Sequence, residues 1–151
     1  MPFPRASGIL LHPTSFPSRF GIGDLGQSAY RFLDFLVESA QQLWQILPLG
    51  PTGYGNSPYM CYSAMAGNPM LISLDQLQAD GLLSDEDFAH CPEFPPDAVD
   101  FDRAIEYKLP LLRKACDRFL NTAPAGEQQA FEEFCDRTSD WLDDYALFVA
   151  L

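Results

Sequence analysis

Basic residues are scarce in this chain: nine lysines and arginines stand against 21 aspartates and glutamates, for a formal net charge of −12. The nine do not cluster. A protein that binds nucleic acid draws most of its affinity from phosphate contacts and counterion release. This surface would repel a polyanion, so no nucleic acid is expected, and an anionic membrane is disfavoured for the same reason. A neutral ligand such as a sugar meets no such penalty. Long apolar runs are missing too. None approaches the ~20 residues that a membrane-spanning helix needs. The opening Met1-Pro2-Phe3-Pro4-Arg5 lacks the apolar core of a signal peptide. The expected setting is the cytoplasm.

Metal and nucleotide signatures are equally thin. The four cysteines, Cys61, Cys91, Cys116 and Cys135, form no C-x-x-C pair, and no histidine completes a zinc pattern. His90 and Cys91 are adjacent, which makes a poor chelate. Free, mostly buried thiols are expected, and no metal. No Walker-type Gly-Lys-Ser/Thr occurs, and no serine sits in G-x-S-x-G. Gly21-x-Gly23-x-x-Gly26 matches the dinucleotide fingerprint by letter. It lies well beyond the first apolar run, however, not in a tight strand-to-helix turn.

What is present is globular. The chain of 151 residues is 47% hydrophobic and 20% charged, which suits one domain or a piece of a larger one. Gly8-Ile9-Leu10-Leu11 is a short, fully apolar run that reads as a buried strand. Ala29, Phe32, Leu33, Leu36, Val37 and Ala40 fall on one helical stripe, with Asp24 and Gly26-Gln27-Ser28 before it as the starting cap. Leu43 to Leu49 reads as a second strand. Strand, helix and strand in this order predict a βαβ unit with parallel strands.

A long loop rich in Gly, Pro, Asn, Ser and Tyr follows, from Gly50 to Pro69. Leu71 to Leu74 reads as a short extended piece. The remainder reads as helices. Ser84-x-x-Asp87 resembles a capping box. Ile105, Leu109, Leu112, Cys116 and Phe119 predict a helical stripe that Pro110 should start or kink. The segment from Asn121 to Gly126 breaks it. Phe131, Phe134 and Cys135 mark another helix, and Trp141 to Leu151 a further one, capped by Ser139. The apolar stretch Tyr145 to Leu151 has no Gly, Pro or basic closing turn, so the chain is expected to continue beyond it.

The candidate site is the loop Pro51-Thr52-Gly53-Tyr54-Gly55-Asn56-Ser57-Pro58-Tyr59. In α/β folds, ligands bind beyond the carboxyl ends of parallel strands, and this loop follows the second strand. The loop with His12, Ser15 and Asp24 follows the first. A pyranose has an apolar C–H face and a polar rim. Tyr54 and Tyr59 offer flat surfaces with polar tips, and Asn56 and Ser57 offer donors and acceptors for hydroxyls. The same composition also suits a packed structural loop. His12 fits either a hydroxyl-ordering or a structural role, and Asp24 either a ligand contact or a turn. The helical carboxylates Asp85, Glu86, Asp87, Glu132, Glu133, Asp143 and Asp144 fit a helix start or solvated faces.

Several stretches resemble the amylomaltase family of 4-α-glucanotransferases, in the α-amylase clan. They are Ser7-Gly-Ile-Leu-Leu-His-Pro-Thr-Ser15, Gly21-Ile-Gly-Asp-Leu-Gly26, Trp44-Gln-Ile-Leu-Pro-Leu-Gly-Pro-Thr-Gly-Tyr-Gly-Asn-Ser-Pro-Tyr59, Ser63-Ala-Met-Ala-Gly-Asn-Pro69 and Trp141-Leu-Asp-Asp-Tyr-Ala-Leu-Phe148. The resemblance implies an α/β fold: the first βαβ portion of a (β/α)8 TIM barrel over residues 1–74, with the substrate-binding loop. A helical insertion or subdomain over residues 75–151 would follow.

The implied reaction is transfer of α-1,4-glucan segments between maltooligosaccharides by a retaining double displacement. It needs no metal or organic cofactor. Its Asp nucleophile, Glu acid/base and stabilising Asp lie on later strands of the family's barrel and have no counterparts here. The implied catalytic residues in this chain are therefore none, and the piece alone should be inactive without the C-terminal remainder of the barrel. What the resemblance carries over is substrate contact: Tyr59 near the sugar at the cleavage site, Ser57 as a nearby hydrogen-bonding residue, and Tyr54 at an outer glucan site. Asn56 stands where many relatives have Asp, so a charge-based role there is in doubt. A non-catalytic glucan-binding or interaction protein is the alternative.

Overall fold

The computed structural model describes residues 4–151. Residues 1–3, part of the stretch read above for a signal core, lie outside the described residues. The elements are β1 (Gly8–Leu10), α1 (Gln27–Glu38), β2 (Leu43–Gln45), α2 (Leu74–Ala79), α3 (Phe101–Thr122), α4 (Ala125–Arg137) and α5 (Leu142–Ala150). Short 3-10 turns at Pro13–Ser15, Tyr54–Asn56, Pro69–Leu71 and Asp85–Phe88 punctuate the loops. This is an α/β arrangement with a small parallel sheet and helices.

The βαβ unit forms as expected. β1 and β2 pair in parallel, with Gly8 opposite Leu43, Ile9 opposite Trp44 and Leu10 opposite Gln45. The ladder is shorter than the apolar run from Leu43 to Leu49. Leu11 N–H still donates to Gln45 O at 3.0 Å. Then Pro13, which has no N–H to give, opens a 3-10 turn and ends the pairing. The expected burial of β1 is not found: Gly8 is exposed, Ile9 half-buried and Leu10 exposed. Among the described residues each strand pairs only with the other, and α1 supplies one covering layer. Phe16, Phe32 and Trp44 pack at centroid distances of 5.4, 5.8 and 5.3 Å. On α1 only Ala29 and Leu36 are buried, while Leu33 and Val37 of the expected stripe are exposed.

The main core lies on α3. One cluster joins Phe20, Leu74, Leu83, Phe88, Leu111 and Ala115, and a second joins Ile22, Met70 and Ala104. Both draw from the first loop, the 69–74 segment and α3. Helix α3 runs through Pro110 without interruption, so Pro110 does not start it; Asp100 accepts from Arg103 N–H and caps it. Its buried face is Ala104, Lys108, Leu111 and Ala115. That is one residue away from the expected stripe, whose Ile105, Leu109, Leu112 and Phe119 are half-buried and whose Cys116 is exposed. The small Ala104 and Ala115 let the helix approach closely, and the one cation on this face is neutralised from outside the helix.

Three further expectations need correction. Leu71 to Leu74 is extended only at Ile72 and Ser73: Leu71 ends the 3-10 turn Pro69–Leu71, and Leu74 begins α2, which Ser73 caps by accepting from Gln76 N–H. Ser139 does not cap α5, because its Oγ donates to Asp136 O at 3.0 Å instead. The thiols are free, but none is fully buried: Cys61, Cys91 and Cys135 are half-buried and Cys116 is exposed. The Ser84–Asp87 capping box forms as predicted.

Candidate functional site

The segment after β2 folds back on itself as a hydrogen-bonded hairpin. Thr52 and Cys61 bridge antiparallel. Gly53 N–H donates to Met60 O at 2.7 Å and Tyr62 N–H to Pro51 O at 3.0 Å. The tip turns left-handed at two successive residues, Gly55 at φ 69° and Asn56 at φ 53°. Glycine takes that region without penalty, and asparagine is the side-chain-bearing residue best suited to it. Asn56 N–H returns to Gly53 O at 3.1 Å and Met60 N–H to Ser57 O at 3.0 Å. Ser57 Oγ accepts from Tyr59 N–H at 3.4 Å, and Cys61 Sγ donates to Pro58 O at 3.0 Å.

This hairpin brings Tyr54, Asn56, Ser57 and Tyr59 onto one small loop. Tyr54 is 87% exposed and Tyr59 75% exposed, while Asn56 and Ser57 are half-buried. Among the described residues, the two tyrosine hydroxyls and the Asn56 amide have no hydrogen-bond partner. They are free to engage a ligand, and both tyrosine faces are open to one. The loop is a wall rather than a pocket. The two clefts that stand out are lined elsewhere. One, of about 710 Å³, runs between residues 15–22 and 95–99. The other, of about 530 Å³ and mostly apolar, lies behind Leu49, Asn68 and Ile72.

The loop is rooted on both sides. Asn68 N–H donates to Leu49 O at 2.8 Å and closes its base. His12 ties the two strand ends together. Its Nδ1 accepts from Thr14 N–H and lies 2.7 Å from Thr14 Oγ1, which leaves Nε2 to donate to Pro48 O at 3.4 Å. Of the two roles open to His12, the structural one is therefore realised. Tyr62 at the end of the hairpin packs on Phe148 of α5 at 5.7 Å.

Asp24 also serves the fold. It is 8% exposed, and its Oδ1 accepts from Gly26 N–H at 2.9 Å. Its Oδ2 lies 3.8 Å from Nζ of Lys108, which is fully buried. Burial pushes the Asp24 carboxyl up from its ordinary value, and Lys108 partly opposes this. Burial likewise pushes the Lys108 ammonium down to about 8, against the pull of Asp24 and Asp75. The Gly-rich loop is therefore a packing device, not a phosphate cradle. A Cβ on Gly23 would come within 2.2 Å of Pro13 O.

The other perturbed carboxylate is Asp87. Lys114 and Arg118 both pair with it, and it accepts from Ser84 N–H at 2.8 Å. The Lys114 hydrogen bond, with Ser84 and Arg118 behind it, holds its carboxyl well below the usual range despite burial. No sequence motif marks Lys108, Lys114 or Arg118. The one available signal was a lysine on the apolar face of a helix, four residues after Ala104.

Comparison with known proteins supplies the family. A family model described as 4-alpha-glucanotransferase matches residues 11–151. A 4-alpha-glucanotransferase of Synechocystis is 56% identical over 147 residues, which is 97% of this chain and 29% of that protein. One from Thermus thermophilus is 49% identical over 151 residues, 100% of this chain and 29% of that protein. An amylomaltase from Streptococcus agalactiae, solved in complex with acarbose, superposes with a TM-score of 0.88 at 41% identity, covering 97% of this chain and 29% of that one. The chain thus spans about 29% of the length of these relatives.

Proposed function

The chain belongs to the 4-alpha-glucanotransferase family, and we propose that it is the N-terminal part of a cytoplasmic enzyme that transfers α-1,4-glucan segments between maltooligosaccharides. In this reading β1, α1 and β2 are the first portion of a (β/α)8 barrel, residues 1–74. Residues 75–151 form a helical insertion. The two stretches share a core through Phe20, Leu74, Leu111 and Ala115, so the division is one of chain order and role.

The observation that carries the site is the hairpin at the carboxyl end of β2. It holds Tyr54, Asn56, Ser57 and Tyr59 on a backbone closed by its own hydrogen bonds, with the tyrosine faces open. Tyr59 would stack on a glucosyl ring near the bond that breaks, and Tyr54 on a ring farther out. Asn56 and Ser57 would bind hydroxyls at the rim. Stacking on a preformed loop costs little ordering entropy, which suits neutral, flexible oligosaccharides.

The chemistry itself is assigned elsewhere. A retaining displacement needs two carboxyl groups ~5–5.5 Å apart, one of them free to attack. Asp24 and Asp87, the two carboxylates with perturbed titration, are each held by cations and backbone N–H groups of this fold. The 151-residue chain incubated with maltotriose is therefore expected to release no glucose and form no longer dextrins. Appearance of either product would overturn the division of labour proposed here.

A further inference from the structure

Lys108 is the most deeply buried cation among the described residues, and its polar partners lie outside the hairpin. Its Nζ donates to Met70 O at 2.7 Å and to Ile72 O at 2.9 Å. The carbonyl between them, Leu71 O, accepts from Leu25 N–H at 2.9 Å. Three consecutive carbonyls are thus satisfied, two by one side chain of α3 and one by the first loop. Unpaired, the carbonyls of the buried Met70 and Leu71 would carry the cost of a buried polar group.

This segment is also the far root of the hairpin loop. Asn68 Oδ1 accepts from Met70 N–H at 2.9 Å, and Asn68 N–H donates to Leu49 O at 2.8 Å. Residues 49 and 68 are the two ends of the loop that carries Tyr54 and Tyr59. The path from Lys108 to the loop therefore runs through the buried Met70 and the half-buried Asn68. On the other side, Asp24 lies within 3.8 Å of the same Nζ and holds Gly26 N–H, which sets the start of α1.

We propose that Lys108 is a positioning residue for the glucan site: it pins the 68–72 segment and the Asp24–Gly26 turn to α3, and so fixes the height at which the tyrosine hairpin stands over the strand ends. The assignment of glucan to the hairpin rests on the function proposed above; the mechanical link does not. A methionine at 108 keeps the volume and the apolar stem but leaves Met70 O and Ile72 O without their donor. The 68–72 turn then loosens, and the loop root with it.

The test separates the two claims. In the full-length protein, Lys108→Met is expected to speed amide exchange at least tenfold at residues 68–72 and 53–60, with α4 and α5 unchanged. Exchange that stays at the wild-type rate in 53–60 overturns the link. Where Lys108→Met alone does not fold, the double variant Asp24→Asn/Lys108→Met removes the orphaned carboxylate and carries the same readout. In the full-length protein, Lys108→Met is expected to raise KM for maltotriose about tenfold with kcat within twofold. A fall in kcat at unchanged KM would mean lost folded enzyme only, and would overturn the positioning role. Tyr59→Ala serves as the control arm. If it leaves KM and kcat unchanged, the glucan reading of the hairpin fails, while the exchange experiment still decides the role of Lys108.

Discussion

Nζ of Lys108 and Oδ2 of Asp24 lie 3.8 Å apart with side chains 0% and 10% exposed. The pair is too long for a strong hydrogen bond, and each partner spends its best contacts on backbone groups. Burial therefore outweighs the attraction, and the ammonium is pushed down to about 8 from 10.5. The sign of the pH effect follows. Between these two values the unfolded chain binds the proton and the folded chain does not, so this group makes stability rise with pH across that window. Asp24 and Asp75 are the two carboxylates that face it. The difference in unfolding free energy between wild type and Lys108→Met is expected to grow by about 3 kcal/mol from pH 8 to pH 10.5. Urea titrations at the two ends of the window measure it; a flat difference would contradict the burial of a charged Lys108.

Asp87 has the opposite character. Lys114, Ser84 and Arg118 hold its carboxyl below the usual range, so its contribution is present above pH ~4 and fades as pH falls through the depressed folded value. Asp87→Ala is expected to cost roughly 2 kcal/mol, as the capping box and the Arg118 bond are lost together. The loss should be larger at pH 6 than at pH 3. Thermal melts of the variant and wild type at both pH values check this.

Trp44 of β2 donates its indole N–H to Leu11 O at 2.7 Å and packs on Phe16 and Phe32. Trp44→Phe keeps much of the packing and removes the bond. The expected cost is about 1–2 kcal/mol, a drop of roughly 3–6 °C in Tm for a chain of this size.

Much of this architecture was legible in the sequence, and what was not has identifiable causes. The βαβ order, the start of α1 and the Ser84–Asp87 box follow from local pattern and turn chemistry, and they are observed. The buried face of α3 was misplaced by one residue, because Ala104, Lys108 and Ala115 score poorly as core while nearby Ile105 and Leu109 score well. What buries them is tertiary: close approach at alanine, and carbonyls from residues 70 and 72 waiting for a cation. The first strand is expected to be buried from its apolar run, yet Leu10 is more than half exposed, at 55%. At the candidate site, the residue types and their sharing of one loop were readable. The left-handed tip at Gly55 and Asn56 was not, since it depends on the hairpin closing through Gly53 and Met60.

That tip yields a further prediction. A Cβ on Gly55 would meet no atom within 4 Å, so Gly55→Ala carries backbone strain alone, about 1 kcal/mol. Global stability should fall by no more than that, because the loop is peripheral. KM for maltotriose in the full-length protein should rise several-fold as Tyr54 and Asn56 are displaced. An unchanged KM would mean that the tip does not shape the glucan site.

The central claim is that this chain contributes a glucan-binding wall to a catalytic centre built by other residues. Its most direct measurement is kcat/KM for maltotriose disproportionation by the full-length protein carrying Tyr59→Ala. Loss of a stacked aromatic ring worth about 1.5–3 kcal/mol corresponds to a roughly 10–150-fold fall, with the folded state intact by circular dichroism. A Tyr59→Ala protein that disproportionates maltotriose at the wild-type rate would contradict the account.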